Sequence, residues 1–301
     1  MLRRAGVSLA KACSEHALRT CGGALWIAAR SYAATAQATD LEVLLEPLDS
    51  PNEGIFLLTL SRPQARNAIG RRFLRELREC LANVAQERTT RCVVLRSAVP
   101  GVFCAGADLK ERATMSHQET EQFVRDLRST FSMLQNLPMP TVASVDGYAL
   151  GGGAELALAC DLRVCGNAAQ FAFPETRLGI IPGAGGTQRL PRLVGPTKAK
   201  ELIFTAKRVD VHEALTLGLA DHACEDESSE DAALKLAREI AQAGPIALRL
   251  AKQAINHGME VDLATGLRLE EAYYAQVIPT KDRLEGLQAF AEKRQPRFTG
   301  E

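Results

Sequence analysis

Short apolar runs alternate with longer amphipathic segments over the first two thirds of this chain. Ile55–Leu60, residues 92–96 and Thr141–Val145 are mostly apolar runs of strand length, so we predict buried strands there. Two shorter strands are predicted at residues 162–165 and 170–173. Between the first three strands, apolar residues recur at helical spacing over residues 71–85 and again over residues 116–137. This alternation of strand and helix is typical of an α/β protein with largely parallel strand pairing.

The pattern changes after about residue 197, where amphipathic segments follow one another without a clear strand among them. These segments predict helices at residues 229–243, 245–257, 262–277 and 281–294. We therefore divide the chain into an N-terminal extension and linker (residues 1–39), an α/β core (residues 40–196) and a helical C-terminal region (residues 197–301).

The first 39 residues differ from the rest in composition. They contain five basic residues and one acidic residue, together with many Ala, Ser and Thr residues. An acid-poor segment with several arginines is typical of a mitochondrial transit peptide, and the sequence around Arg30 resembles a processing site with the cut after Tyr32. The predicted location is therefore the mitochondrial matrix. A tail without a targeting function is the alternative.

Composition and charge argue against several kinds of partner. The 301 residues carry 36 basic and 36 acidic side chains, and a net charge of zero gives no general attraction to nucleic acid. The longest apolar stretch, residues 142–160, contains Asp146 and Glu155, so we expect no membrane span. The five histidines are scattered and no two cysteines have C-x-x-C spacing, so we expect neither a metal site nor disulfides.

Two glutamates are the candidate catalytic groups. Glu155 follows three glycines and is flanked by Ala and Leu residues, and Glu175 follows a Phe-Pro pair. Two carboxyl groups in one apolar site have their pKa values driven apart, so that one can donate a proton while the other accepts one. The same carboxylates could instead be structural, as ion-pair partners of Arg163 and Arg177 or as helix caps. Residue types alone do not decide between these roles.

Two segments of small residues are candidates for binding an oxyanion. Residues 105–107 are small, and the three glycines at 151–153 open the helix predicted to carry Glu155. Unpaired N–H groups from the two segments would form an oxyanion hole if they converged, although each segment alone is better explained by a tight turn. A third run, residues 183–187, lacks the lysine of a phosphate-binding loop. It is predicted to be a turn into a helix beside Glu175.

Several short motifs follow one another in order along residues 41–301. They are Arg62-Pro63, Arg66-Asn67-Ala68-Ile69, FCAGADLKE at 103–111, DGYALGGGAE at 146–155, Pro174-Glu175, IPGAGGTQRL at 181–190, RLEG at 283–286 and EKR at 292–294. Together they resemble the crotonase (enoyl-CoA hydratase/isomerase) superfamily. The number of matching motifs makes the resemblance highly specific, and it favours a catalytic role for both glutamates.

The resemblance implies both a fold and a reaction. The fold would be a spiral of ββα turns followed by C-terminal helices that mediate trimerisation, often into a dimer of trimers. The substrate would be an acyl-CoA thioester, whose oxygen is held by the N–H groups of Ala107 and Gly152, with no cofactor beyond this CoA. Family members that hydrate have glutamates at both positions. The implied enzyme is therefore a hydro-lyase, in which Glu155 accepts a proton from water and Glu175 delivers one to the α-carbon of a 2-enoyl-CoA.

The resemblance also implies where the rest of the substrate binds. The backbone of residues 65–68 would hold the adenine end of CoA, and residues 108–110 would hold the pantetheine. A lysine of a neighbouring subunit would approach a phosphate. The implied substrate-binding residues are Ala65, Arg66, Ala68, Ala105, Asp108, Leu109, Lys110, Gly151 and Lys293.

Three alternatives stay open within this fold. One is the methylglutaconyl-CoA hydratase branch, which also binds AU-rich RNA. The second is an isomerase that moves the double bond, and the third is an inactive scaffold, which the presence of both glutamates disfavours. Arg71, Arg75 and Arg78 share one helix face, but glutamates interleave and no aromatic platform accompanies them. We therefore expect a solvated face and no RNA binding.

The acyl group is not determined by the sequence. Short straight-chain, branched and dicarboxylic groups all fit the motifs, so the pathway would be either fatty-acid or branched-chain amino-acid breakdown. A basic residue facing the end of the acyl chain would favour the dicarboxylic methylglutaconyl group, and Arg112, Arg125 and Arg128 are candidates. Trimer and hexamer also stay open.

Overall fold

The computed structural model describes residues 40–301. These residues form ten strands and eleven α-helices. The predicted transit peptide, with its cut after Tyr32, lies outside the described residues. The strands are β1 Val43–Pro47, β2 Ile55–Leu60, β3 Cys92–Ser97, β4 Val102–Cys104, β5 Thr141–Val145, β6 Tyr148–Leu150, β7 Leu162–Gly166, β8 Gln170–Ala172, β9 Val209–Asp210 and β10 His222–Cys224. The helices are α1 Arg71–Gln86, α2 Leu109–Arg112, α3 His117–Gln135, α4 Gly152–Ala157, α5 Gly186–Val194, α6 Pro196–Thr205, α7 Val211–Leu217, α8 Ser229–Ala241, α9 Pro245–Gly258, α10 Leu263–Val277 and α11 Lys281–Glu292. Two short 3-10 helices lie at Pro63–Ala65 and Pro174–Leu178.

The strands form two sheets. The larger sheet has the order β1-β2-β3-β5-β7-β10, and the smaller sheet has the order β4-β6-β8-β9. Neighbouring strands pair in parallel, except for the antiparallel pairs β1–β2 and β8–β9. The prediction of an α/β protein with largely parallel pairing is confirmed.

Successive strands are divided between the two sheets in a regular way. β3, β5 and β7 lie side by side in the larger sheet, and the strands that follow each of them, β4, β6 and β8, lie side by side in the smaller one. Helical segments follow each pair: α2 and α3, then α4, then the second 3-10 helix with α5 and α6. Each repeat therefore advances one position in both sheets, which is the predicted spiral of ββα turns.

One buried hydrophobic cluster lies on the larger sheet. All six residues of β2 are buried, as its continuous apolar run predicts. Helix α8 packs against the sheet through Ala233 and Ala237, which belong to the same buried cluster as Val94, Val142 and Val164 of three adjacent strands. Small side chains on this helix face allow the helix to approach the strands closely.

The sheet extends beyond the predicted boundary at residue 197. β10 lies in the region predicted to be helical, and it pairs in parallel with β7, where His222 lies opposite Val164. Because α8 packs on the same sheet, the α/β core continues to Ala241 and only α9–α11 are appended to it. β9 and β10 have only two and three residues, and they were not predicted, since the flanking amphipathic segments dominate the pattern there.

The last three helices expose large apolar side chains. In the single chain these are Ile255, Leu263, Leu267, Tyr274, Leu284, Leu287 and Phe290. Phe290 is 86% exposed. Large apolar side chains exposed in one region commonly mark a protein–protein interface. No helix within residues 40–301 has both the length and the hydropathy needed to cross a membrane.

Candidate active site

A cleft of about 850 Å³ opens at one edge of the smaller sheet. Residues 105–107, 151–152 and 174–175 line it, and they follow β4, β6 and β8 in turn. Because neighbouring parallel strands end at the same edge of a sheet, the fold brings these three segments together. Glu155, one turn into α4, lines the same cleft as Glu175. The other walls are mostly apolar and include Leu109, Val124, Leu127, Leu178, Ile180 and Ile181.

Glu155 is held by backbone N–H groups. Its side chain is almost completely buried, and its Oε1 accepts hydrogen bonds from the N–H groups of Ala184 at 2.9 Å and Gly186 at 2.7 Å. Gly186 begins α5, so the carboxylate also caps the N-terminal end of that helix. Burial raises the pKa of Glu155, while the two N–H groups and the charge of Arg189 oppose the rise. The helix-cap alternative is therefore correct, but the same carboxylate also faces the cleft.

Glu175 has different surroundings. It lies in the second 3-10 helix and is 8% exposed, and its Oε2 is buried without a hydrogen-bond partner among the described residues. Burial raises the pKa of Glu175 to about 7, its own N–H group opposes this rise, and the charge of Glu155 adds to it. A pKa near the working pH suits a carboxyl group that donates a proton as a general acid.

Gly151 allows Glu175 to lie close to α4. Its φ of +51° is in the left-handed region, and a Cβ at this position would lie 2.9 Å from Glu175 Oε1. A side chain here would both strain the backbone and displace the carboxyl group. Gly151 therefore fixes the position of one of the two candidate acid–base groups.

The two predicted oxyanion donors lie near each other. A Cβ built on Gly152 would be 3.7 Å from the nitrogen of Ala107. The loop of Ala107 is held by hydrogen bonds from Ile69 N to Gly106 O at 2.7 Å and from Asp108 N to Ile69 O at 3.0 Å. Within the described part of the chain, neither the Ala107 N–H nor the Gly152 N–H has an acceptor. Two such N–H groups form a suitable site for a developing negative oxygen.

The predicted substrate-binding residues fall into two groups. Ala105, Leu109 and Gly151 line the cleft beside the glutamates. The residues outside the lining are Ala65, Arg66, Ala68, Asp108, Lys110 and Lys293. The loop of Arg66 is nevertheless joined to the cleft wall, since Ala105 N donates to Arg66 O at 3.1 Å.

The Asp108 side chain has structural partners. Its Oδ1 accepts hydrogen bonds from the N–H groups of Lys110 and Glu111, both at 3.1 Å, which caps α2. Its Oδ2 forms an ion pair with Arg62 at 2.9 Å. Any contact of this residue with a substrate would therefore come most readily from its backbone.

The chain is similar over most of its length to proteins of known family. The family model described as enoyl-CoA hydratase/isomerase matches residues 50–301. The chain belongs to this family. One relative is the human methylglutaconyl-CoA hydratase, mitochondrial, which is 50% identical over 276 residues, covering 90% of this chain and 81% of the relative. Another is the mouse enoyl-CoA hydratase domain-containing protein 2, mitochondrial, which is 51% identical over 276 residues, covering 90% of this chain and 93% of the relative. The crystal structure of an enoyl-CoA hydratase from Bacillus anthracis has a TM-score of 0.83 and 46% identity, covering 86% of this chain and 100% of that chain.

In this member of the enoyl-CoA hydratase/isomerase family, the arginines considered as ion-pair partners of the two glutamates have other partners. Arg163 Nη2 pairs with Asp221 Oδ2 at 2.8 Å, and Arg177 Nη2 donates to Thr205 O at 3.2 Å. The ion-pair alternative for the glutamates is therefore wrong. Both carboxyl groups stay available to the cleft.

The basic face of α1 is engaged with acidic residues of α3. Arg71 Nη2 pairs with Glu119 Oε1 at 2.9 Å, and Arg78 Nη1 lies 3.7 Å from Asp126 Oδ1. These local pairs reduce the positive charge that the face would present to a phosphate backbone.

Of the three arginines considered for recognising the acyl group, Arg112 and Arg128 line the cleft and Arg125 does not. The Arg125 guanidinium contacts Glu121 and Gln122 on the exposed side of α3. The Arg112 guanidinium lies 5.5 Å from the centroid of the Phe123 ring, and Arg128 Nε donates to a backbone carbonyl at 3.2 Å. The cleft therefore contains two cationic side chains in addition to the two glutamates.

Sequence reasoning missed the groups that hold Glu155. Residues 183–187 form the predicted turn into a helix, and this prediction is confirmed by α5. The hydrogen bonds from Ala184 and Gly186 were not predicted, because a backbone donor leaves no signal in residue type. The density of glycines at 183–186 was the available sign that a side chain approaches the backbone there.

Proposed function

We propose that this protein is an enoyl-CoA hydratase, which adds water to a 2-enoyl-CoA thioester to give a 3-hydroxyacyl-CoA. The observation that carries the proposal is that Glu155 and Glu175 share one apolar cleft in contrasting surroundings. Hydration needs one group that takes a proton and another that gives one, and the two environments suit these separate tasks. Membership of the enoyl-CoA hydratase/isomerase family supports the same reaction.

The reaction follows from the positions of these groups. The thioester oxygen accepts hydrogen bonds from the N–H groups of Ala107 and Gly152, and a water molecule lies between the two carboxyl groups. Glu155, as carboxylate, takes one proton from the water while the water oxygen bonds to the β-carbon. The π electrons move toward the thioester, where the two N–H groups stabilise the enolate oxygen. Protonated Glu175 then gives its proton to the α-carbon, and proton exchange with solvent restores the pair, which titrates as a coupled unit.

The proposed reaction needs no separate cofactor. Addition of water leaves the overall oxidation state of the acyl group unchanged, and CoA enters as part of the substrate. We place its adenine end along the backbone of Ala65, Arg66 and Ala68 and its pantetheine along residues 108–110. The hydrogen bond from Ala105 N to Arg66 O supports this route, because it joins the first of these segments to the cleft. Lys293 would reach a phosphate from a second subunit.

The test is the ultraviolet absorbance of the enoyl thioester when the purified protein is mixed with crotonyl-CoA. Hydration removes the conjugated double bond, so the absorbance falls, and chromatography identifies the 3-hydroxyacyl product. A 3-enoyl-CoA run in parallel separates hydration from double-bond isomerisation. Absence of any 3-hydroxyacyl-CoA from crotonyl-CoA and from 3-methylglutaconyl-CoA would refute the proposal.

A second candidate is a hydratase whose acyl group carries its own carboxylate. The observation that favours it is the presence of Arg112 and Arg128 in the cleft, since a guanidinium binds a carboxylate through paired hydrogen bonds. A relative named methylglutaconyl-CoA hydratase agrees with this candidate. The substrate would then come from branched-chain amino-acid breakdown rather than fatty-acid breakdown.

The ratio of kcat/KM for 3-methylglutaconyl-CoA and crotonyl-CoA decides between the two candidates. If an arginine binds the distal carboxylate, Arg112→Met or Arg128→Met should lower kcat/KM for the dicarboxylic substrate far more than for crotonyl-CoA. Arg125→Met is the matched control, because Arg125 lies outside the cleft lining. Equal losses for both substrates would exclude recognition of the distal carboxylate.

Location and assembly belong to the same proposal. The presequence composition and the mitochondrial names of the relatives support import into the mitochondrial matrix. The exposed apolar side chains of α9–α11 support assembly of this region into a trimer or hexamer. Light scattering during size-exclusion chromatography would distinguish these two states from a monomer. We propose no RNA partner, and absence of filter binding to an AU-rich oligonucleotide is the expected result.

A further inference from the structure

Arg189 does not line the cleft, although its sequence neighbours Thr187 and Gln188 do. It is partly buried in α5, and its guanidinium donates three hydrogen bonds. Nη1 donates to Ala184 O at 2.7 Å, Nε to Gln135 Oε1 at 2.8 Å and Nη2 to Ser132 Oγ at 3.4 Å. Because Ser132 and Gln135 belong to α3, this one side chain joins the turn before α5 to a different helix.

The turn held by Arg189 is the same turn that binds Glu155. The Ala184 N–H donates to Glu155 Oε1, and the Ala184 carbonyl oxygen accepts from Arg189 Nη1, so one residue joins the two side chains. Gly186 gives the second N–H group. Gly185, between them, has a φ of +113°, and a Cβ there would collide with the Arg189 guanidinium. The guanidinium therefore packs directly against the turn as well as bonding to it.

We propose that Arg189 is a positioning residue, which holds residues 184–186 so that their two N–H groups keep the Glu155 carboxylate in place for reaction with water. The proposal rests on the proposed hydration of enoyl thioesters. Arg189 itself does not line the cleft, so it acts through the turn and not on the substrate.

The charge of Arg189 acts in the same direction as its hydrogen bonds. No carboxylate among residues 40–301 forms an ion pair with it, and burial lowers its pKa while the charge of Glu155 opposes that fall. The reciprocal effect favours the carboxylate form of Glu155. The other charged groups that act on this site are Arg128 from α3 and Glu175 from the second 3-10 helix.

Arg189→Met compared with Arg192→Met tests the proposal. Arg192 lies on the same helix, is exposed, and pairs with Glu260 at 3.3 Å, so it is a matched control for loss of an arginine from α5. We expect Arg189→Met to lower kcat by up to about 100-fold with little change in KM, since misplacement of a catalytic group has effects of this size. The acid limb of its kcat/KM profile should move to higher pH. The control should leave kcat, KM and the acid limb unchanged.

Two results would overturn the proposal. One is a folded Arg189→Met protein with the wild-type kcat. The other is a loss of kcat without movement of the acid limb, because this would mean that Arg189 only stabilises the fold. If Arg189→Met does not fold, Arg189→Lys decides. The lysine ammonium keeps the positive charge but cannot reproduce the three hydrogen bonds of the guanidinium. We therefore expect a smaller loss of kcat and a smaller displacement of the acid limb than in Arg189→Met. Wild-type kcat in that variant would also refute the proposal.

An infrared titration separates this proposal from the proposed function. The band of a protonated carboxyl group, assigned to Glu155 by its loss in Glu155→Gln, reports the state of Glu155 without turnover. We expect its midpoint to move to higher pH in Arg189→Met or, if that variant does not fold, in Arg189→Lys. If this shift occurs in a protein that hydrates no enoyl thioester, the proposed function fails and the positioning role stands. If the wild-type protein is active but the titration midpoint of Glu155 is the same in the Arg189 variant as in the wild type, the positioning role is refuted and the proposed function stands.

Discussion

The two sides of the cleft hold the same chemical group in opposite surroundings. On the α4–α5 side, two backbone N–H groups donate to one oxygen of Glu155. On the side of the second 3-10 helix, one oxygen of Glu175 is buried with no partner in the described part of the chain. Burial raises the pKa of both groups. The rise is opposed at Glu155 by two neighbouring N–H groups and two arginines, but at Glu175 only by its own N–H group.

This difference comes from the backbone around each carboxyl group and not from the residue type, which is glutamate in both places. A carboxylate that accepts N–H groups is stabilised in its charged form, whereas one with an unpaired buried oxygen is stabilised in its neutral form. Glu155 is therefore suited to accept a proton and Glu175 to donate one.

The largest effect is expected from Glu155→Gln and Glu175→Gln. Each replaces a titratable group by an amide of the same shape, so each should lower kcat for crotonyl-CoA hydration by about 10²–10⁴. The double variant should lose less than the product of the two single losses, because the pair acts as a unit. Circular dichroism checks that the fold is kept, and near-normal turnover in either single variant would contradict the mechanism.

The next largest effect is expected from Gly151→Ala. The added Cβ would displace the Glu175 carboxyl group, so kcat should fall by about 10²-fold, the loss typical of a misplaced catalytic group. Gly101→Ala is the matched control. Gly101 has a φ of +70° and no atom lies within 4 Å of a Cβ added there. Gly101→Ala therefore introduces backbone strain without a collision. Equal activity losses in the two variants would show that strain, and not the position of Glu175, is responsible.

The contrast also predicts the pH dependence of hydration. Glu175 must be protonated to give its proton, and its pKa is raised to about 7, so kcat/KM should fall as pH rises through about 7. Glu155 must be ionised, and since burial raises its pKa, the acid limb should lie above its ordinary value of 4.5. Initial rates in buffers of constant ionic strength measure both limbs. A profile that keeps rising well above pH 7 would exclude Glu175 as the acid.

The smallest effect is expected from Arg128→Met with crotonyl-CoA as substrate. The charge of Arg128 favours the carboxylate form of Glu155, but the side chain is exposed and solvent screens it. The acid limb should therefore move upward by less than in Arg189→Met, with kcat almost unchanged. A larger displacement than that of Arg189→Met would mean that the backbone turn contributes less than the charge.

Long elements were predictable from the sequence, whereas of the strands of two or three residues only β8 was predicted, at residues 170–173. Helix α1 and strands β2 and β5 were predicted with their ends correct to within one residue, since each has a continuous apolar run or a full helical period. β4 and β6 have three residues each, and their apolar side chains also fit a loop. The sequence therefore predicted the larger sheet better than the smaller one, which holds the site.

The candidate site was predictable as residue types but not as geometry. Both glutamates and both oxyanion positions came from motifs, and the structure brings all four to one cleft. The unpaired oxygen of Glu175 and the donors to Glu155 depend on backbone paths that no motif specifies. Arg189 belongs to the IPGAGGTQRL motif, but its hydrogen bond to Ala184 depends on the path of the turn at residues 184–186, which the motif does not specify.

Five thiols enclosed by the fold make it possible to observe how this protein opens. Burial raises the pKa of Cys92, Cys104, Cys160 and Cys165 to about 12 and raises that of Cys224 as well. The thiolate is the form that reacts with alkylating agents and peroxide, so these groups react chiefly in molecules whose sheets have separated. The rate of alkylation under native conditions is therefore a measure of spontaneous opening. Mass spectrometry of the labelled peptides would show whether the smaller sheet, through Cys104, opens before the larger sheet, through Cys92.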